Sequence, residues 1–162
     1  MVEAQADTVL PAAPSQVFEE ATDLTRADWL PAVRRLRHIG GPVREVGARY
    51  EAEVDVTGHR LHGVLVCQEL EAPRRAVYVL ESGLDLAITL TVHPAGQGSR
   101  LELHVRYTIG GFAGLALERA TIGPARREIV RALATLASRF QGRPPREAGP
   151  SSPGDSARTP EG

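Results

Sequence analysis

The stretch from Pro14 to Pro31, Pro14-Ser15-Gln16-Val17-Phe18-Glu19-Glu20-Ala21-Thr22-Asp23-Leu24-Thr25-Arg26-Ala27-Asp28-Trp29-Leu30-Pro31, decides how the rest of the chain is read. Ahead of it, Asp7-Thr8-Val9-Leu10 predicts a short first strand, broken by Pro11 and Pro14. Ser15 is placed to cap a helix that carries Val17, Phe18 and Ala21. Asp23 to Arg26 turns the chain, and Ala27 to Leu30 predicts a second helix of one turn, stopped by Pro31. Trp29 is the only tryptophan. Two short helices between one strand and a series of further strands imply a curved sheet with an open end to close. A sheet closed in that way holds a cavity, and a cavity points to a small-molecule ligand.

Working outward, Val33 to Ile39 reads as a strand with Arg34, Arg35, Arg37 and His38 interspersed, followed by a turn at Gly40-Gly41-Pro42. Tyr50, Ala52, Val54 and Val56 then alternate with Glu51, Glu53 and Asp55, which predicts a strand with one face in water. Gly58 turns this strand into a long one from about Arg60 to Leu70, and Glu71-Ala72-Pro73-Arg74 turns again into Ala76 to Ser82. Leu84, Leu86, Ile88, Leu90 and Val92 alternate next, and Pro94 to Gly98 is a hairpin signal. Leu101, Leu103, Val105, Tyr107 and Ile109 alternate last. Short links between successive strands mean an antiparallel meander.

Beyond Gly110-Gly111 the period changes. Ile122, Ile129, Leu133, Leu136 and Phe140 form an apolar stripe opposite Arg127, Arg131 and Ser138, which predicts a helix over residues 114–141 with Pro124 as a bend. Residues 142–162 hold five prolines, four glycines and no large apolar side chain, the composition of a disordered tail. The folded domain is therefore expected over residues 1–141. Its class is α+β: an antiparallel sheet of about seven strands, two short helices after the first strand, and a long C-terminal helix laid on the apolar face.

Composition narrows the function classes. A chain of 162 residues suits one domain with a sizeable core. A net charge of −1 creates no field favouring nucleic acid or an anionic membrane. All 19 basic residues are Arg, which reads as codon bias rather than a site. The N-terminus has no apolar stretch of a signal peptide, and no run approaches the roughly 18 residues of a membrane span, so a cytoplasmic protein is expected. A lone Cys67 excludes a disulfide framework and a multi-cysteine metal site.

Four pieces give the chain its resemblance to the SRPBCC superfamily, the helix-grip fold shared by START domains and polyketide cyclases. They are Pro14-x-x-Val17-Phe18 with Asp23 and Trp29-Leu30-Pro31; Val46-Gly47-Ala48-Arg49; Glu71-Ala72-Pro73-Arg74-Arg75; and Gly96-Gln97-Gly98-Ser99-Arg100-Leu101. Together they run over residues 7–141. The resemblance implies a seven-stranded antiparallel sheet wrapped around the C-terminal helix, with a cavity between them. It implies no single function, because this fold hosts carriers, cyclases, dehydratases and regulatory subunits.

The chemistry-bearing residues are sparse. His59 and His62 point to opposite faces of a strand, His38, His93 and His104 lie in separate strands, and no ligand spacing for a metal occurs. Neither a metal nor another cofactor is expected. Cys67 reads as a small buried residue, and the Arg34-Arg35-Arg37 group as a solvated strand with ion pairs. Tyr50 and Tyr107 fall on the inward register, where a hydroxyl needs a hydrogen-bond partner from protein, water or ligand. Trp29 plugs the core or walls the cavity mouth, and Phe112 with the glycines before it forms a flap. Glu81 is the one acid that can turn inward.

The expected function is binding of a small hydrophobic or aromatic molecule, including lipids, in a cavity between the sheet and the helix over 114–141. The lining drawn from the sequence is Trp29, Tyr50, Val54, Tyr78, Leu86, Ile88, Leu103, Tyr107, Phe112, Ile129 and Leu133. A carrier, sensor or accessory role fits an inward register poor in acid and base groups. The alternatives are a polyketide cyclase or dehydratase, which needs titratable side chains converging in one pocket, and a protein-interaction module with a closed core. No nucleic-acid partner is expected, and the reading leaves a homodimer open.

Overall fold

Alternating apolar residues dictate most of the molecule, a computed structural model. Residues 1–30, 33–56, 59–81, 85–108 and 112–141 are described, with the side chains of 56, 59 and 112–122 outside the description. In chain order these residues form β1 (Val2–Leu10), α1 (Pro14–Thr22), a 3-10 turn (Leu24–Arg26), β2 (Val33–Gly40), β3 (Arg49–Val56) and β4 (His59–Glu71). β5 (Arg75–Leu80), β6 (Asp85–Ala95), β7 (Gly98–Thr108) and α2 (Phe112–Ser138) follow. The expected turn at Gly58, the ends at Ser82, Leu84 and Ile109, the Gly110-Gly111 pair and the tail over 142–162 lie outside the described residues.

The seven strands form one antiparallel sheet in the order β1-β7-β6-β5-β4-β3-β2. Strands β2 to β7 are the expected meander. β1 closes onto β7, so β1 and β2, neighbours in sequence, occupy opposite edges. The link between them carries α1 and the 3-10 turn across the sheet's inner side, where α1 meets β6 and β7 and the 3-10 turn meets β2. α2 packs against β1 and β7 and joins the same core as α1.

Three expectations for the N-terminal part are corrected. β1 begins at Val2 rather than Asp7 and pairs with β7 along its whole length, from Val2↔Tyr107 to Leu10↔Ser99. Val2, Ala4 and Ala6 face inward while Glu3, Gln5 and Asp7 face water, so the period of two is present but carried by alanines, which are weak strand formers. Ser15 does not cap α1. Ala13 is the N-cap, without a side-chain hydrogen bond, and Pro14 takes the first helical turn, where its missing N–H costs nothing. The second short helix lies at Leu24–Arg26, and Ala27 to Leu30 is a turn closed by the Leu30 N–H on the Ala27 carbonyl at 3.0 Å. Asp23 decides this by accepting from the Thr25 N–H at 3.2 Å and the Thr25 hydroxyl at 2.5 Å.

The core gathers one face of every strand: Leu36, Ala52, Leu65, Leu80, Ile88, Leu90, Leu103 and their neighbours, closed by Val17 and Phe18 of α1 and by Ile129, Leu133, Leu136 and Phe140. Each such leucine, isoleucine, valine or phenylalanine side chain contributes about 1.5–3 kcal/mol by burial. Pro124 lies inside α2. Three of the described glycines are required by close approach, Gly41 among them, where a Cβ would meet the Gly47 carbonyl oxygen. A Cβ at Gly63 would stand 2.7 Å from Leu80 Cδ1, and one at Gly98 would meet the Leu10 carbonyl oxygen. Outside the core, the arginines of β2 pair with β3: Arg34 with Asp55 and Arg37 with Glu51, both at 2.8 Å.

Candidate functional site

A cavity of about 250 Å³ opens where α1 passes over the ends of β3, β4 and β5. Ser15, Phe18, Glu19 and Thr22 supply its roof, and their spacing of three and four residues puts them on one face of α1. Arg44, Glu45 and Ala48 come from the link into β3, Tyr50 from β3, Cys67 and Leu70 from β4, Ala72 and Pro73 from the next turn, and Tyr78 from β5.

The link from residue 41 to residue 48 is shaped by backbone requirements. Gly41 and Gly47 have φ of 70° and 92°, and Arg44 holds φ of 59°, a left-handed conformation uncommon for a side chain of this size. Two backbone bonds seat the link on β4: the Gly47 N–H on the Cys67 carbonyl and the Cys67 N–H on the Ala48 carbonyl, both 2.9 Å. Arg44 then reaches back to α1, 3.6 Å from Glu19 and 3.2 Å from Asp23. Glu45 has no ion-pair partner among the described residues.

Three polar groups lie deeper. Cys67 and Tyr78 are opposite one another across β4 and β5, and Tyr50 is on the neighbouring strand. Burial pushes the Tyr78 hydroxyl well above its ordinary pKa, with Cys67 and Tyr50 adding to the effect. Burial raises Tyr50 as well, tempered by the backbone N–H of Arg44, and it raises the Cys67 thiol. All three are therefore neutral hydrogen-bond donors at neutral pH. The Cys67 thiol points its hydrogen at the Glu69 carbonyl at 3.6 Å, while Tyr78 has no hydrogen-bond partner among the described residues. His38 packs edge-on against Tyr50, with ring centroids 5.5 Å apart.

Of the lining drawn from the sequence, Tyr50 and Tyr78 meet in this cavity. Val54, Leu86, Ile88, Leu103, Tyr107, Ile129 and Leu133 are buried in the core and do not line it. Trp29 is 2 % exposed, packed in the core, and its indole N–H has no partner among the described residues. The side chain of Phe112 lies outside the described residues. Glu81 is not an inward acid, since it forms a two-pronged ion pair with Arg49 at 2.5 and 3.0 Å on the surface. This cavity is thus roofed by α1, with no α2 residue among its described lining residues. Sequence reasoning missed Ser15, Glu19, Thr22, Arg44 and Cys67 as lining residues. The spacing of 15, 18, 19 and 22 was the available signal, hidden because three of the four are polar.

Among the described residues no cluster of three or more His, Cys, Asp and Glu could hold a metal ion, and no helix is long and apolar enough to cross a membrane. Solved structures share the fold. A protein of Thermus thermophilus is 23 % identical at a TM-score of 0.71, covering 85 % of this chain and 96 % of its own. The KanY protein is 19 % identical at 0.70, covering 87 % and 98 %. Ara h 8.0201 is 12 % identical at 0.56, covering 84 % and 97 %. At these identities the likeness is one of fold. Among curated proteins no sequence relative is found. The family model described as polyketide cyclase / dehydrase and lipid transport matches residues 1–141, and the chain belongs to that family.

Proposed function

We propose that the protein binds a small hydrophobic or aromatic molecule in the cavity beneath α1 and acts as a carrier, sensor or accessory protein in the cytoplasm. The observation that carries this reading is a cavity of about 250 Å³ whose inner polar groups are neutral donors, set among Phe18, Ala48, Leu70, Ala72 and Pro73. Such a site suits an apolar body with one or two polar atoms. Family membership supports it, since lipid transport is among the activities the family description names.

A second reading, a cyclase or dehydratase, draws support from the convergence of Tyr50, Cys67, Tyr78 and Glu45 on one cavity. Those residues supply donors that can polarise a carbonyl. A general base poised near neutrality is not among them: no histidine is found among the described lining residues, and burial moves the thiol and both phenols away from neutral pH.

Native mass spectrometry of freshly purified protein, with extraction of what co-purifies, tests the first reading. A stoichiometric hydrophobic species that also shields Cys67 from a thiol reagent is the expected result. If neither co-purified nor added hydrophobic compounds slow the labelling of Cys67, ligand binding at this cavity is wrong. Turnover of an added aromatic polyketide, abolished by Tyr78→Phe, favours the enzyme.

A further inference from the structure

We propose that this cavity selects uncharged ligands, apolar or aromatic molecules bearing a carbonyl or similar hydrogen-bond acceptor, and rejects the corresponding carboxylates. This inference rests on the ligand-binding reading above and adds the chemical class of the ligand.

The charges around the cavity carry it. Among the described residues, the lining contains one cation, Arg44, and two carboxylates, Glu19 and Glu45. Arg44 is already committed to two carboxylates, Glu19 at 3.6 Å and Asp23 at 3.2 Å. Asp23 is itself held by the Thr25 hydroxyl and N–H, so it does not yield readily. Glu45 adds a third negative charge with no ion pair among the described residues. An anionic ligand would therefore approach a rim with an excess of like charge and would have to displace Asp23 or Glu19 to find a cation.

The interior offers an anion nothing better. Tyr50, Tyr78, Cys67, Ser15 and Thr22 are neutral, and the Thr22 hydroxyl is spent on the Phe18 carbonyl at 2.7 Å. A carboxylate moved among these groups would lose its hydration without gaining a counter-charge. A neutral carbonyl loses far less, and it gains a donor in the unpartnered Tyr78 hydroxyl. Tyr50 takes part as a second donor on the adjacent strand.

Three compounds with the same ring system separate the possibilities: 2-naphthoate, its methyl ester and 2-naphthamide. Affinities are measured at pH 7.5 by calorimetry and by protection of Cys67 from a thiol reagent. The amide serves because it is uncharged yet less oily than the ester. Both neutral compounds should bind about tenfold more tightly than the carboxylate, as two like charges at a solvated rim imply at roughly threefold each. The Glu19→Gln, Glu45→Gln double variant should bring the amide-to-carboxylate ratio to within about threefold, and Tyr78→Phe should weaken the amide severalfold relative to naphthalene. If the carboxylate binds as tightly as the amide and the double variant leaves the ratio unchanged, the charge selection is wrong while the binding reading stands. If none of the three binds or protects Cys67, both are wrong.

Discussion

At the scale of single residues, the cavity and the sheet make different demands. Cys67 is buried against the cavity and its thiol is pushed up by desolvation, so the native protein should react with a disulfide reagent at neutral pH at least about tenfold more slowly than the urea-unfolded chain. Equal rates in stopped-flow traces would contradict the burial. Gly63 and Gly98 are both spaces that neighbours fill, but the neighbours differ. At Gly63 the obstacle is the Leu80 side chain, which can move, so Gly63→Ala should cost about 1–2 kcal/mol in urea unfolding. At Gly98 it is the Leu10 carbonyl, part of the β1–β7 pairing, so Gly98→Ala should cost more than Gly63→Ala. The reverse ranking would mean that the β1 end is free to give way.

At the scale of elements, the link between the two sheet edges is held by two polar knots. Asp23 is the first. Burial alone would raise its carboxyl, but the hydrogen bonds from Thr25 and the charges of Arg44 and Arg26 outweigh it and hold the pKa below the ordinary value. A carboxyl depressed in the folded state stabilises at pH values above its unfolded pKa, and that contribution is lost as pH falls through the folded one. Stability should therefore decline below about pH 4, and Asp23→Asn should flatten that decline in a series of chemical denaturations. Asp23→Ala at neutral pH should cost about 1 kcal/mol, the usual loss for such a cap.

Arg139 is the second knot. Its side chain, only 15 % exposed, donates to the Arg26 carbonyl at 2.9 Å, to Glu20 at 3.3 Å and to the Asp28 carboxylate. It thereby ties the end of the α2 region to α1 and to the turn beyond Leu24–Arg26. Arg139→Ala should lower stability by about 2 kcal/mol, and Arg139→Lys should recover only part of it, because one ammonium cannot reach three acceptors as the planar guanidinium does. Full recovery by Lys in thermal melts would show that charge alone is needed.

At the scale of the whole molecule, β1 and β2 end the sheet with exposed polar faces, Glu3, Gln5 and Asp7 on one and Arg34, Arg35 and Arg37 on the other, which discourages edge-to-edge association. The cavity sits where α1 bridges between these edges, so a ligand there touches α1, the link into β3 and three strands together. Binding only to the folded state should then raise the melting temperature by roughly 5–10 °C at a hundredfold excess over Kd. No shift with a compound shown to bind would place that compound elsewhere.

Much of this architecture was legible from local pattern. Tyr50-Ala52-Val54, Leu86-Ile88-Leu90-Val92 and Leu101-Leu103 alternate because one face of each strand is in water, and Ile129-Leu133-Leu136-Phe140 recur because a helix buries one stripe. These periods are properties of neighbouring residues, so the chain by itself determined the strands, the final helix and the α+β class. The start of β1 was obscured because alanine carries its pattern, and the cap of α1 because the N-cap is Ala13, which has no side-chain acceptor to signal it. The cavity was beyond local reading. Arg44, Cys67 and Tyr78 come from separate segments and meet α1 only because β1 pairs with β7 and sends the following link across the sheet. Which inward side chains fill the core and which face an open space depends on that long-range closure, and only the tertiary structure decided it.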